Sequence, residues 1–206
     1  MNKFNLLLIS LVSLLTSCGG GQLYQQIVYE TNPHYSWGYA EYYGAYYKPE
    51  NGNKNNVLSV SLFTDSLKIN AVGNLTGLGQ YLFLEDVFQS PKSVFLEAGT
   101  YTVNNSGLPF TITPGKNDTV DGAVYPIGAY ISYYEYNAAN STLKTISKGS
   151  MTVSSINDSV YNIVCDFKTS DSTLLKGSFT ATLPHIDQSL SSNISGIRKK
   201  LVYIRK

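Results

Sequence analysis

The segment VYNIVCDFKTSDSTLLKGSFTATL, residues 160–183, decides the fold class. In both of its halves apolar residues alternate with mostly polar ones, at Tyr161, Ile163, Cys165 and Phe167 and then at Phe179, Ala181 and Leu183. A period of two is the pattern of a strand with one buried face. Asp171 and Ser172, which lie between the halves, are residues that favour turns. The segment is therefore predicted to form a β-hairpin.

The same period of two recurs along most of the chain. It is found in NVLSVSLF (56–63), YLFLEDVF (81–88), SVFLEAGTYTV (93–103), GAYISYYEYN (128–137) and GSMTVSS (149–155). Clusters rich in Asn, Gly, Asp and Pro separate these runs, and the sequence between them holds no convincing amphipathic helix. We therefore predict an all-β fold, an antiparallel two-sheet sandwich of about nine to ten strands, with a lipocalin-like β-barrel as the alternative.

The amino terminus has the layout of an export signal. A lysine precedes an apolar run, residues 4–15, which is too short for a membrane-spanning helix of about 20 residues. LTSC, residues 15–18, resembles the bacterial lipobox, in which the cysteine receives a diacylglycerol and the chain is cut just before it. Several acyl chains on one residue anchor a protein stably. We expect residues 1–17 to be removed and Cys18 to be lipidated, and a plain secretory signal is the alternative.

The rest of the chain is predicted to be a tether followed by one domain. Residues 18–33 contain three glycines directly after Cys18 and suit a lipidated cysteine with a flexible tether. Residues 34–206 are expected to form a single β-domain, because a chain of 206 residues suits one domain.

Charge and composition exclude some classes of partner and cofactor. The chain has 15 basic and 14 acidic residues, and this balance gives no general case for a nucleic-acid partner. The sequence lacks clusters of Cys and His with the spacing of metal ligands, so we expect no metal and no cofactor. With Cys18 lipidated, Cys165 has no partner among the two cysteines and is predicted to be a small core residue.

Three strand patterns together resemble those of a known group. LEAGTYTV (96–103), KGSMTVSS (148–155) and YNIVCDFKTSDSTLLKGSFTATLP (161–184) are similar to a recurrent pattern in lipoproteins of Bacteroidota, and the resemblance covers roughly residues 38–184. It implies a lipid-anchored all-β envelope protein of unassigned function, and it supplies no catalytic residues. The surface-export signal of such lipoproteins is an acidic run after the cysteine, which CGGGQLYQQ (18–26) lacks. This departure favours the periplasmic face of the outer membrane over the cell surface.

Four short motifs are similar to the O-glycosylation acceptor that these bacteria use on exported proteins. Each is an Asp-Ser or Asp-Thr pair followed by an aliphatic residue or threonine, and the implied acceptors are Ser66, Thr119, Ser159 and Ser172. The alternative is that such pairs favour turns through hydrogen bonds from side chain to backbone. Both can hold, because a glycan needs an exposed turn.

No convincing catalytic constellation is present in the sequence. His34 and His185 are the two histidines, and no G-x-S-x-G elbow accompanies either. Glu41 and Glu85 could form a glycosidase-like pair only if they lie about 5 to 9.5 Å apart across a cleft. We therefore expect a protein without catalytic activity.

The aromatic stretch HYSWGYAEYYGAYYKP, residues 34–49, is the best candidate for a binding surface. A core needs only one side of a strand, yet in a continuous strand this stretch would place aromatic rings on both sides. On one side would lie Tyr35, Trp37, Tyr39, Tyr43 and Tyr47, and on the other Tyr42 and Tyr46. Exposed Tyr and Trp suit glycan or protein partners. The predicted binding face is Trp37, Tyr42 and Tyr46, and the alternative is that the tyrosines fill the core.

The sequence thus predicts a lipid-anchored cell-envelope protein that acts as a non-catalytic binding module. Its expected partners are the membrane, through the lipid, and a glycan or an envelope protein. The alternatives are a structural subunit of an envelope or pilus-like assembly and a glycan-acting hydrolase.

Overall fold

The computed structural model describes residues 29–47, 54–120, 123–157 and 159–189. These ranges are all-β, which confirms the predicted fold class, and a sandwich-like arrangement fits them. Within them, no helix has the length and apolar character needed to cross a membrane. The leader, residues 1–17, and the predicted lipid attachment site, Cys18, lie outside the described residues.

Fifteen strands are found in the described ranges. In chain order they are β1 (His34–Tyr35), β2 (Trp37–Gly44), β3 (Asn56–Phe63), β4 (Leu67–Ile69), β5 (Leu75–Gln89), β6 (Gly99–Val103), β7 (Thr111–Ile112), β8 (Lys116–Val120), β9 (Ala123–Ile127), β10 (Ala129–Glu135), β11 (Asn137–Ser155), β12 (Val160–Thr169), β13 (Leu174–Leu175), β14 (Ser178–Thr182) and β15 (His185–Asp187). β8 and β9 form a separate two-stranded sheet, and the other thirteen strands form one sheet.

The two longest strands, β5 and β11, are linked to each other at two places in the large sheet. β10 pairs with both of them near the start of β5, while β6 and β7 connect them near its end. β3 and β2 continue the sheet beyond β5, and β12 and β14 continue it beyond β11. The hairpin predicted over residues 160–183 is confirmed, since β12 pairs with β14 in antiparallel register.

The two edges of the large sheet meet, so that its strands form a closed hydrogen-bonded path. β14 and β15 follow one another along the chain, and they pair in parallel with β1 and β2, so that Ser178 lies opposite His34 and His185 lies opposite Ala40. The strands of the path β2-β3-β5-β10-β11-β12-β14 alternate in direction and are odd in number. The first and the last therefore run the same way, and the pairing that joins them has to be parallel.

The main core lies on the inner side of this closed path. It is built by the alternate residues that the sequence pattern marks, including Val60, Ile131, Met151, Ile163 and Phe179, all of which are almost fully buried. Cys165 is buried among them, as predicted, and burial raises the pKa of its thiol to about 12.

Strand β3 departs from the predicted alternation, because all eight of its residues are buried. Leu58, Val60 and Leu62 face the main core. Ser59 and Ser61, expected on a solvated face, are each only 2% exposed. A second layer of side chains therefore covers the outer side of the sheet at this strand.

Two other stretches differ from the sequence-based expectation. Residues 29–33, assigned to the tether, are attached to the fold: Gln80 exchanges two hydrogen bonds with the backbone of Glu30, and the Thr31 carbonyl accepts a bond from the amide of Lys176. Residues 93–98, expected in a strand, lie outside one, and β6 begins only at Gly99. Its start is held by the Tyr101 hydroxyl, which donates to the carbonyl of Glu97.

Candidate functional site

An aromatic layer covers the outer side of four neighbouring strands. The register places side chains in rows that run across β2, β3, β5 and β10. One row reads Trp37, Phe63, Tyr81, Ser132, and the next reads Tyr39, Ser61, Phe83, Tyr130. We call the six rings of these rows the aromatic face: Trp37, Tyr39, Phe63, Phe83, Tyr81 and Tyr130.

The aromatic face has two tiers. Phe63, Tyr81 and Tyr130 are at most 4% exposed and form the lower tier. Trp37, Tyr39 and Phe83 pack against them and remain partly exposed. Burial raises the pKa of Tyr81 and of Tyr130 above the ordinary value for tyrosine.

The interruption between β1 and β2 at Ser36 determines which aromatic side chains reach this face. The amide of Ser36 donates to the carbonyl of Phe63, and the chain changes partner here from β14 to β3. Tyr35 therefore enters the main core, where it is fully buried. Trp37 and Tyr39 follow the break and point to the outer side.

The indole of Trp37 is held in one position. Its ring lies parallel to that of Phe63, with centroids 4.0 Å apart and planes inclined by 9°. Its Nε1–H donates to the carbonyl of Leu67 at 2.8 Å. The fold thus holds the ring both by its face and by its edge, while part of the ring remains accessible to solvent.

One border of the aromatic face carries Glu41. Its Oε2 accepts hydrogen bonds from the hydroxyls of Tyr43 (3.1 Å) and Ser59 (3.2 Å), and its Oε1 accepts one from the side-chain amide of Gln188 (3.4 Å). These donors fix the orientation of the carboxylate beside Tyr39, its neighbour along the same side of β2.

A β-bulge in β5 adds two further carboxylates at this border. Glu85 and Asp86 both stand where a regular strand would place one residue opposite Ser59. Oε2 of Glu85 accepts from the amide of Gly128 at 2.6 Å. Oδ2 of Asp86 accepts from the hydroxyl of Tyr47 at 2.7 Å.

Glu41 and Glu85, the carboxylates weighed as a glycosidase-like pair, are brought to one side of the sheet. They flank Ser59 on the strand between them, so their backbones are about two strand spacings apart, roughly 9–10 Å. Both accept hydrogen bonds from groups of the protein. These bonds fix the position of each carboxylate.

The three residues predicted as a binding face are not brought together. Trp37 belongs to the aromatic face, whereas Tyr42 has the opposite parity on β2 and packs against the main core. Tyr46 follows the end of β2 and meets Tyr43 and Tyr47 edge to face, with centroids 6.1 and 5.1 Å away. It therefore extends the outer aromatic surface beyond Glu41.

Other members of the aromatic face were missed from the sequence. The period of two already placed Tyr39 on the side of Trp37, and it also placed Tyr81 and Phe83 on one side of their strand. What it could not supply was the register that sets Phe83 opposite Tyr130 and Ser61 opposite Tyr39.

Among the described residues, His34 and His185 each have a hydrogen-bonding partner. His34 contacts the hydroxyl of Ser178 at 3.3 Å, and Nε2 of His185 accepts from the amide of Leu96 at 3.0 Å. Burial lowers the pKa of His185. Among the described residues there is no group of three or more His, Cys, Asp or Glu that could hold a metal ion.

The four predicted glycosylation acceptors are all exposed. Ser66 and Ser172 lie in turns, and Ser159 directly precedes β12. Thr119 lies within β8 and not in a turn. Their exposure is compatible with modification, and glycosylation itself stays a prediction.

No protein-family model matches this chain, and no curated protein or solved structure shows significant similarity to it.

Proposed function

We propose that this protein is a lipid-anchored protein of the bacterial cell envelope that binds glycans through the aromatic face. The observation that carries the proposal is the two-tier arrangement, in which partly exposed rings of Trp37, Tyr39 and Phe83 rest on buried aromatic side chains. The resemblance to lipoproteins of Bacteroidota and the lipobox at Cys18 support the location.

The chemistry of a sugar ring matches such a surface. A pyranose has apolar C–H groups on one face and hydroxyls around its edge, so it can stack on an aromatic ring while its hydroxyls bond to polar groups beside it. Trp37 and Tyr39 offer rings that the fold already holds, which lowers the entropic cost of ordering them on binding.

The border of the aromatic face supplies the polar groups. Oxygens of Glu41 lie beside Tyr39, and the hydroxyls of Tyr43 and Tyr47 stand over the carboxylates of Glu41 and Asp86. The Glu41 carboxylate is partly exposed and has further lone pairs, so it can accept bonds from ligand hydroxyls, whereas Asp86 is buried and bonded to Tyr47.

The test is a binding screen of the purified protein against a glycan array and envelope polysaccharides. Trp37 is the single tryptophan, so its fluorescence reports on the aromatic face alone. For a glycan that binds, we expect Tyr39→Ala and Phe83→Ala to weaken affinity by about tenfold or more, because each removes a stacking surface worth at least 1.4 kcal/mol. Tyr42→Ala, on the opposite side of β2, is the matched control and should bind normally.

Two results would contradict the proposal. One is a glycan whose affinity falls with Tyr42→Ala and not with Tyr39→Ala. The other is a folded protein that retains no glycan from either source, which would favour an envelope protein as the ligand of the aromatic face.

A further inference from the structure

One end of the molecule carries exposed apolar side chains next to the point where the chain enters the fold. The turn between β4 and β5 presents Val72, which is 71% exposed, and the turn between β10 and β11 presents Tyr136, which is 67% exposed. The amide of Tyr136 donates to the carbonyl of Gly77 at 2.6 Å, so the second turn packs beside β5 near the start of that strand. We call this end, with its further exposed residues Ile69, Leu78 and Leu174, the tether end.

The described chain enters the fold at this same end. The hydroxyl of Tyr29 donates to Thr142 at 2.9 Å, at the start of β11, and the Nζ of Lys144 lies 4.6 Å from the centroid of the Tyr29 ring. Lys144 is paired with Asp171, in the turn between β12 and β13, at 2.7 Å. These contacts hold Tyr29 among the turns of the tether end.

The opposite end also exposes apolar side chains, among them Phe95, Ile156 and Ile186. Exposure alone therefore does not distinguish the two ends, whereas the path of the chain does. Ten residues lie between Cys18 and Tyr29, and the eleven Cα–Cα steps reach roughly 40 Å at most when fully extended. A lipid on Cys18 would hold the end that carries Tyr29 within that distance of the bilayer.

We propose that the tether end rests on the membrane surface, with Val72, Ile69 and Tyr136 inserted into the interfacial region of the bilayer. This inference rests on the lipid anchor of the proposed function. Aliphatic tips with a tyrosine beside them suit that region, because the ring lies at the level of the headgroups while the aliphatic groups leave water.

Charge contributes little to this contact. Lys68 and Lys176 are exposed near the tether end, and so are Glu30 and Asp65. Charges of both signs cancel much of any attraction to anionic lipid, so the contact should persist when the salt concentration is raised.

The experiment uses the full chain, matured in cells and reconstituted into vesicles of phosphatidylethanolamine and phosphatidylglycerol. A bimane label is attached at Val72→Cys and, as the matched control at the opposite end, at Ile156→Cys, whose side chain is 62% exposed. The buried Cys165, with its raised thiol pKa, is not labelled under neutral conditions. Vesicles with and without spin-labelled lipid then report the depth of each label.

We expect the protein to float with the vesicles and the fluorescence at position 72 to fall by about half, with little change at position 156 and no effect of high salt. Flotation with equal quenching at both positions, or with none at position 72, would overturn the docking while leaving the anchor intact. A protein that does not float would overturn the anchor and the docking together. Glycan binding by the aromatic face is measured without vesicles and stands or falls independently.

Discussion

Two aromatic-rich layers lie on opposite sides of the large sheet, and they are built differently. On the inner side, Phe167, Phe179 and Tyr101 belong to the main core and are almost fully buried. On the outer side, rings pack on rings and on the small serines Ser61 and Ser132. The inner layer is closed on all sides by the sheet, whereas the outer layer has an upper tier in contact with solvent.

Burial alone therefore does not identify which aromatic side chains the fold needs. Tyr81 and Tyr35 are both nearly fully buried, yet one lies beneath the aromatic face and the other in the main core. The main core already buries one side of β2, β3, β5 and β10. Trp37 and Tyr39 therefore add apolar surface beyond what that core requires, and this excess is what the proposed function uses.

The largest expected contrast is between the two phenylalanines Phe179 and Phe63. Phe179→Ala removes a fully buried ring from the closed core and should lower the free energy of unfolding by about 3–5 kcal/mol. Phe63→Ala should cost about 3 kcal/mol or less, because Trp37 and Tyr39, which stack on it, are partly exposed, so less packing is lost than in the closed core. Urea unfolding of both variants measures the difference.

Phe179→Leu and Phe63→Leu serve as controls that retain most of the apolar volume. Equal losses for the two alanine variants would mean that the outer layer is packed as tightly as the core. In that case the upper tier would have little freedom to adapt to a ligand, and the proposed difference in packing between the two layers would be wrong.

A second prediction concerns stability at alkaline pH, and the same effect is expected in both layers. Burial raises the pKa of Tyr35 in the core and of Tyr81 under the aromatic face. Their unfolded pKa is about 10, so stability is fully present below about pH 10 and is lost as the pH rises towards the folded values. Each buried tyrosine should contribute a loss of about 1.4 kcal/mol per pH unit in this window.

Urea unfolding at a series of pH values between about 9 and 11 checks this, with Tyr35→Phe and Tyr81→Phe as the variants. In each variant the free energy of unfolding should decrease less steeply with pH, and the difference should equal the contribution of the one tyrosine that was replaced. Absorbance of the folded protein that shows Tyr81 ionising near its ordinary pKa would mean that water reaches the lower tier.

Much of the fold could be predicted from the alternation of residues. The hairpin over residues 160–183 and the inward positions Met151 and Val153 follow from it, because a strand with one buried face has to alternate. The parallel pairings that close the sheet could not be foreseen. His34 and Ser178 are 144 residues apart in sequence, and no local pattern specifies such a partner.

The candidate site could be predicted only in part. The sequence identifies the aromatic stretch near Trp37, but a period of two places Tyr35 and Trp37 on the same side, because the interruption of the strand at Ser36 leaves no mark in it. The contribution of Phe83 and Tyr130 depends on register between strands, which alternation within one strand does not contain.

The smallest expected effect comes from adding a single carbon on either side of β3. Val60→Ile enlarges a side chain in the closed core and should cost about 1–2 kcal/mol, because every neighbour there is already in contact. Ser61→Thr, at the next residue, adds a methyl group beneath Tyr39 and Phe83 and should cost less than about 0.5 kcal/mol, since partly exposed rings can lift towards solvent. Urea unfolding gives both values, and the fluorescence of Trp37 in the second variant reports whether the face has shifted. A cost at Ser61 as large as that at Val60 would show that the rings cannot yield. The aromatic face would then be a rigid platform, and its ligands would be limited to those that fit the spacing that β2 and β5 already impose.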